Sequence, residues 1–364
     1  MGLSSFSIFH APLIRRCSYF CIMSTVKFGV IGAGHIGKRH MEMIQRHTGF
    51  ELVAFADIRS AEACGVNSEV QGYSSDVDML EAHPDLDVVC ICTPNGLHAE
   101  QAIRAIQARC HVVIEKPMAL NRHDGERILH EALSKGKQVF CVMQNRYSPP
   151  SVWLKEVVNS GVLGRINMVQ VQCYWNRDDR YYGKIPWKGK MDMDGGTLFT
   201  QFSHFVDLMY WIFGDIHQIQ SRFADFTHQQ NTDFEDSGLI TFEFVQHKAL
   251  GALHFSTSVA DQNFESSVTI LAEKGTIKVG GQYMNEIEYC QIQDYTMPEL
   301  PPSNPANDYG HYKGSAANHG YIFENIEAAL IGGGEITTNA LEGLKVVDII
   351  ERMYAAGNRP LKNQ

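Results

Sequence analysis

The run Gly32-Ala33-Gly34-His35-Ile36-Gly37, set between an apolar segment and a helical one, limits this chain's fold more than any other feature. Lys27–Ile31 is a short apolar strand that enters it. His35–His47 leaves it with Ile36, His40, Met43 and Ile44 at helical spacing. In G-x-G-x-x-G the three glycines have separate tasks. Gly32 allows the tight turn, Gly34 lets the backbone approach a pyrophosphate, and Gly37 lets the helix pack close to the strand. The first-turn amides, around His35 and Ile36, then face the phosphates. Asp57 lies 20 positions beyond Gly37, at the end of the second apolar strand Phe50–Ala56. A carboxylate there accepts hydrogen bonds from ribose hydroxyls and repels a 2′-phosphate, so NAD is expected over NADP. Arg59, two residues on, is a residue type that can accept that phosphate.

The alternation continues beyond the loop. Val77–Ala82, His98–Ala108 and Arg122–Lys135 read as helices, and Asp87–Cys92, His111–Ile114 and Gln138–Met143 as the third, fourth and fifth strands. Strands apolar on both faces, alternating with helices, predict a parallel sheet covered on both sides. Such a sheet binds ligands at the carboxyl ends of its strands. Those ends carry Gly32, Asp57, Thr93-Pro94-Asn95, Glu115 and Gln144, with His98 just beyond the third.

After Tyr147-Ser148-Pro149-Pro150 the texture changes. Val152–Ser160 is a helix, and strand-like segments follow at Ile166–Tyr174, Ile216–Ala224, Ser237–Val245, Ala249–Ser256, Ser266–Ala272, Gly275–Val279 and Ile287–Cys290. Gly195–Phe213 interrupts them as an apolar helix. Met297–Asn307 is a Pro- and Asn-rich loop, and Tyr321–Leu330 and Thr338–Tyr354 close the chain as amphipathic helices. The fold class expected is an α/β Rossmann domain, a doubly wound parallel sheet, plus an α+β domain with an open-faced, mainly antiparallel sheet. The divisions expected are an extension over 1–23, an NAD-binding domain over 24–146, and a substrate and oligomerisation domain over 147–364.

Composition narrows the partners. The formal charge of −10 argues against a general nucleic-acid binder. No stretch approaches the roughly 20 apolar residues of a membrane span. Nine cysteines are scattered without a C-x2-C pair, and Cys90 and Cys92 fall on one face of an apolar strand, as expected of buried thiols in a reducing, cytoplasmic protein. In residues 1–22 the arginines Arg15 and Arg16 follow the apolar stretch, the reverse of a secretory signal, and Met23 is expected as the functional start. No metal site is expected.

Glu115-Lys116-Pro117 closes the fourth strand. The proline biases Lys116 away from helical backbone, at a position where its ammonium can hydrogen-bond a substrate oxygen near a nicotinamide. Strand–GAGHIG–helix, Cys92-Thr93-Pro94-Asn95 with His98, and Glu115-Lys116-Pro117 together resemble the Gfo/Idh/MocA oxidoreductase family over about Val26 to Tyr354. The resemblance implies hydride transfer at a sugar or cyclitol carbinol, with Lys116 catalytic. The family's G-G-x-x-x-D-x-x-x-H-x-x-D helix matches Gly195 to Asp207, with His204 as the acid/base. Thr200 stands where the family carries aspartate.

The window Arg177–Lys190 holds Arg177, Arg180, Lys184, Lys188 and Lys190 against Asp178 and Asp179. Tyr174, Trp175, Tyr181, Tyr182 and Trp187 are interleaved. Cations suit phosphate or carboxylate, and aromatic faces suit a sugar or base; a solvated loop with aromatic packing is the alternative. Tyr181-Tyr182, Pro186-Trp187-Lys188 and Gly195-Gly196 resemble the branch that oxidises UDP-N-acetylglucosaminuronate or UDP-N-acetylglucosamine at C3. Candidate substrate contacts are Lys116, Asn145, Arg146, Arg177, Tyr182, Trp187, Lys188, Thr200, Gln201, His204 and His319. An inositol or free-sugar dehydrogenase, and an enzyme using bound NAD for transient C3 oxidation, remain open. A non-catalytic NAD(P)-binding sensor would have lost Lys116 or His204. An open-faced sheet predicts a homodimer or homotetramer.

Overall fold

The computed structural model describes residues 25–359 apart from 184 and 311. The expectations for residues 1–23, for Met23 as the start and for Lys184 fall outside them.

The first sheet contains β1 Val26–Ile31, β2 Phe50–Ala56, β3 Gln71–Tyr73, β4 Val88–Ile91, β5 His111–Ile114 and β6 Val139–Cys141. All pairs are parallel, in the order β3-β2-β1-β4-β5-β6. This is a doubly wound sheet, and the strand order reverses between β1 and β4, opening a crevice above their carboxyl ends. Every residue of β4 is buried, as a central strand covered on both faces requires. The sequence reading missed β3. It is three residues long, polar at Gln71, and carries Gly72 because a Cβ there would meet the Phe55 ring at 2.9 Å, so no apolar run marks it.

Several helices of this half are capped by side chains: Ser75 accepts the amide of Asp78, and Asn121 that of Asp124. Helix His98–Gln107 has no such cap, and neither has helix His35–Arg46. Its N-cap is Gly34, which has no side chain to cap with, and its first turn carries no acidic residue. Its positive end is left for an external anion.

The second sheet is seven-stranded: β7 Ile166–Tyr174, β8 Ile216–Ala224, β9 Ser237–Phe244, β10 Leu250–Ser256, β11 Glu265–Ala272, β12 Gly275–Gly280 and β13 Glu286–Ile292. Its order is β13-β12-β11-β7-β10-β9-β8, with β7 and β10 parallel and the other pairs antiparallel. Register aligns Ile240 with Leu253 and Val171 with Val268, placing these residues on a buried face. The alternate positions form the other face, where Leu239, Leu250, Leu271 and Tyr289 are exposed.

Helices Pro149–Ser160 and Ser203–Phe213 cover the buried face. Helix His319–Leu330 instead packs Ile322, Phe323 and Ile326 against Phe28, Ile44 and Phe50 of the first half. Helix Ala340–Ala355 joins both cores, with Leu344 in one and Val347 and Ile350 in the other. The expected helix over Gly195–Phe213 is divided. Gly195 and Gly196 take positive φ, Leu198–Phe202 forms a π-helical turn, and regular α-helix begins at Ser203. No described helix is long and apolar enough to cross a membrane.

Candidate active site

A cleft of about 900 Å³ runs from the glycine loop across the ends of β1, β4 and β5 to the second domain. At its far end Gly32 has φ +91°, and a Cβ there would strike the Cys92 carbonyl at 2.7 Å. A Cβ on Gly37 would lie 1.8 Å from the Gly32 carbonyl oxygen, so only glycine lets the helix close on the turn. Gly34 meets nothing within 4 Å and lines the cleft, leaving open space against bare backbone beside an uncapped helix end. Those features fit a dinucleotide pyrophosphate.

Asp57 accepts the Ala33 amide at 2.8 Å and two side-chain bonds from Arg59 at 2.9 and 2.8 Å. Burial alone would raise its carboxyl, but the Arg59 and Ala33 donors bring it down to about 2. It therefore lines the cleft as a full anion.

Nearer the second domain, Lys116 follows β5 and its Nζ donates to the Thr200 carbonyl at 2.8 Å. Burial lowers the Lys116 ammonium below the usual lysine range. His204 lies in the first turn of the helix behind the π turn and is 3% exposed, and its Nδ1 has no hydrogen-bond partner among the described residues. Burial, then the charge of Lys116, holds the His204 imidazole well below its ordinary value, so it is a neutral base. The Thr200 hydroxyl donates to Asp194 at 3.1 Å.

Glu115 faces two imidazoles, His40 Nε2 at 2.9 Å and His319 Nε2 at 3.6 Å. Burial would raise its carboxyl, but His319 and His40 hold it well below the usual range. Three ligand-type atoms lie within 4.8 Å there. However, among the described residues neither His40 Nδ1 nor His319 Nδ1 has a hydrogen-bond partner, so neither ring has the second hydrogen bond that metal-bound imidazoles keep. Glu115 is thus an anion that contacts both imidazoles just past the end of β5.

A cationic, aromatic wall faces Lys116. Arg177 is 2% exposed and donates to Gln201 at 2.7 Å and Asn263 at 3.0 Å. Its guanidinium lies over Trp175, Tyr181 and Tyr312, and Lys188 Nζ sits 3.6 Å from the Tyr181 ring centre. Neither cation has a carboxylate within ion-pair distance among the described residues. Two buried positive charges held only by neutral groups and ring faces favour an incoming anion.

The structure brings most of the predicted residues together. Gly32, Gly34, His35, Ile36, Asp57, Arg59, Thr93, Pro94, Asn95, His98, Glu115, Lys116 and Gln144 line the cleft. So do Arg177, Trp187, Lys188, Thr200, Gln201, His204 and His319. His98 also ties two strand-end loops, its ring lying between the carbonyls of Pro117 and Thr93 at 2.7 and 2.9 Å. Four candidates stand outside the lining. Gly37 sits behind it, where it lets the helix close on the Gly32 turn. Arg146 is buried in ion pairs with Asp207 at 2.6 Å and Glu342 at 2.9 Å, so its charge serves the core. Asn145 turns to Ser315 at 3.4 Å. Tyr182 packs beneath Tyr181, which takes its place in the wall.

Sequence reasoning did not select Asp194, Tyr309 or Tyr312. The tyrosines sit between the short strands β14 Ala306–Asp308 and β15 Lys313–Ala316, a ribbon beyond the Pro-rich loop. Their only signal is two tyrosines three residues apart.

Residues 26–143 match the model described as "Oxidoreductase family, NAD-binding Rossmann fold", and residues 152–278 match the GFO/IDH/MocA C-terminal domain. The chain is similar to the WlbA dehydrogenase from Bordetella pertussis, solved with NADH and UDP-GlcNAcA, at 31% identity and TM-score 0.80, covering 93% of this chain and 99% of that one. The Chromobacterium violaceum WlbA dehydrogenase, also solved with NADH and UDP-GlcNAcA, gives 30% identity and TM-score 0.79, covering 92% and 94%. Inositol 2-dehydrogenase of Rhizobium meliloti is 23% identical, over 90% of this chain and 95% of that protein. With both halves of the chain matched and its cleft built for a dinucleotide, the protein belongs to the GFO/IDH/MocA family of NAD-binding oxidoreductases and is a dehydrogenase of that family.

Proposed function

We propose that the protein oxidises a secondary hydroxyl of an anionic nucleotide sugar, the C3 hydroxyl of a UDP-N-acetyl sugar or its uronate, with NAD as acceptor. One observation carries the reading: among the described residues Arg177 and Lys188 are buried cations without a carboxylate in ion-pair distance, in the same cleft as Lys116 and His204. A diphosphate or a sugar carboxylate supplies the missing charge, and the Tyr181 and Tyr312 rings give the sugar a flat apolar contact. The UDP-GlcNAcA bound in both similar WlbA structures supports the same class. Inositol or a free sugar is the second reading, favoured by the inositol 2-dehydrogenase relatives. A neutral ring would bring neither cation an anion to pair with.

The residues divide the work. His204, neutral and at the cleft, takes the hydroxyl proton. Lys116, held by the Thr200 carbonyl, donates to the substrate oxygen and stabilises negative charge as it develops. A bound nicotinamide would supply the acceptor for the carbinol hydrogen as hydride. Asp57 accepts from the adenosine ribose, and its charge disfavours a 2′-phosphate, which supports NAD over NADP.

Calorimetry on the NAD-loaded protein tests the substrate class. UDP-GlcNAcA is expected to bind, with affinity falling on Lys188→Met and with added salt. Binding of inositol but of no UDP-sugar would overturn the reading. We also propose that the exposed face carrying Leu239, Leu250 and Leu271 is a subunit interface; a monomer in light scattering at micromolar concentration would contradict it.

A further inference from the structure

Asp194 lies fully buried in front of Gly195 and forms no ion pair among the described residues. It nevertheless joins three parts of the site. One carboxylate oxygen accepts the Gly189 amide at 2.6 Å, and the other accepts the Thr200 hydroxyl at 3.1 Å. Its backbone carbonyl accepts Asn95 Nδ2 at 3.2 Å, from the loop after β4. Gly189 directly follows Lys188, and Thr200 provides the carbonyl that holds Lys116 Nζ at 2.8 Å. A single carboxylate thus fixes the backbone beside one lysine and the residue that anchors the other.

The titratable groups facing Asp194 are Lys116 from the end of β5, Lys188 from the preceding loop, and Tyr181 and Tyr182 from the short helix Asp179–Tyr182. The loop cannot readily relax. Gly189 has φ +80°, and a Cβ there would strike the Asn231 carbonyl at 2.3 Å.

We propose that Asp194 is a positioning residue for the reaction: acting through the Thr200 hydroxyl and the Gly189 amide, its carboxylate sets both lysines and supplies the negative charge that position 200 lacks. The inference rests on the dehydrogenase activity and not on which sugar is oxidised. A buried carboxylate without a cationic contact is costly, and holding one here has a function if it balances two nearby ammonium groups without pairing with either. Burial pushes the Asp194 carboxyl up to about 6, so its charge is present above that pH and lost below it.

Asp194→Asn keeps the shape and removes the charge. Its kcat/KM is expected to fall on the order of 100-fold, the effect of slight misplacement at a reacting centre. The parent's acid limb near pH 6 should vanish, with NADH binding unchanged. The double variant Asp194→Ala with Thr200→Asp, which returns a carboxylate to the helix, should recover about tenfold or more relative to Asp194→Ala. An Asp194→Asn enzyme with the parent's pH profile and kcat/KM overturns the proposal. If that variant does not fold, Thr200→Val is decisive. It keeps the carbonyl that holds Lys116 but cuts the link, and should lower kcat more than it raises KM; unchanged kcat also overturns the proposal.

Infrared pH-difference spectra of the substrate-free protein separate this from the substrate question. A protonated-carboxyl band should grow as pH falls through about 6 in the parent and be missing in Asp194→Asn. Its absence in the parent sinks the proposal, whatever the substrate. Its presence in an enzyme that oxidises no UDP-sugar sinks only the substrate reading.

Discussion

Lys116 Nζ donates to the backbone carbonyl of Thr200 at 2.8 Å, so a lysine just past β5 is anchored by the π-helical turn Leu198–Phe202. This bond sets the reach of the ammonium toward a substrate oxygen. Lys116→Met should lower kcat about 10²–10³-fold, the typical loss when one donor to a developing oxyanion is removed. NADH binding, followed by fluorescence, should persist. Loss of NADH binding would instead assign Lys116 to the cofactor.

His204 is neutral where an ordinary histidine would protonate, because burial first and then Lys116 disfavour its charge. A depressed value means that the base stays competent as pH falls through the ordinary histidine range of about 6.5, and fails only further down. The histidine limb of kcat/KM should therefore lie below the Asp194 limb near pH 6. Asn at position 204 should cost about 10²–10⁴-fold in sugar oxidation. Stability follows the same sign: the unfolded histidine binds protons more readily, so the contribution of a neutral His204 declines as pH falls below about 6.5.

Asp57 is bonded by Arg59 and held at about 2, so its charge is constant through the neutral range. Asp57→Ala removes the acceptor for the ribose hydroxyls and frees the Arg59 guanidinium. The KM for NAD should rise and that for NADP fall, narrowing or reversing the preference. Steady-state kinetics with each cofactor decides it; an unchanged ratio would place the discrimination elsewhere.

Arg146, expected at the substrate, is instead paired with Asp207 and Glu342 inside the core. Arg146→Ala leaves Asp207 buried and unpaired, and should destabilise the fold by about 3–5 kcal/mol. Denaturant unfolding measures this. A stable Arg146→Ala protein with impaired substrate binding would restore the residue to the site.

The Rossmann half was legible in the sequence because its signals are local. A buried parallel strand reads as a continuous apolar run, and the glycine loop constrains a single turn, so Gly32, Asp57, Thr93, Glu115 and Lys116 were all found at strand ends. Strand β3 was missed because three residues with a central glycine carry no such run. The second half of the site depends on tertiary contacts. Arg146 and Arg177 look alike in sequence; one meets Asp207 and Glu342, while the other meets only amides, carbonyls and rings. Asp194 precedes the glycine pair by one residue, and nothing in its spacing shows that the chain folds it back onto Thr200. Tyr309 and Tyr312 arrive on a ribbon too short to leave a pattern.

The measurement that bears most directly on the central claim is a single turnover. Enzyme loaded with NAD is mixed with a small excess of UDP-GlcNAcA, UDP-GlcNAc, free N-acetylglucosamine or inositol, and reduced nicotinamide is followed by absorbance, whether bound or released. The account predicts near-stoichiometric reduction with a UDP-N-acetyl sugar or its uronate, slowed about 10²–10³-fold in Lys116→Met and slowed also in Lys188→Met. Reduction by inositol or a free sugar, with none from any UDP-sugar, would contradict it.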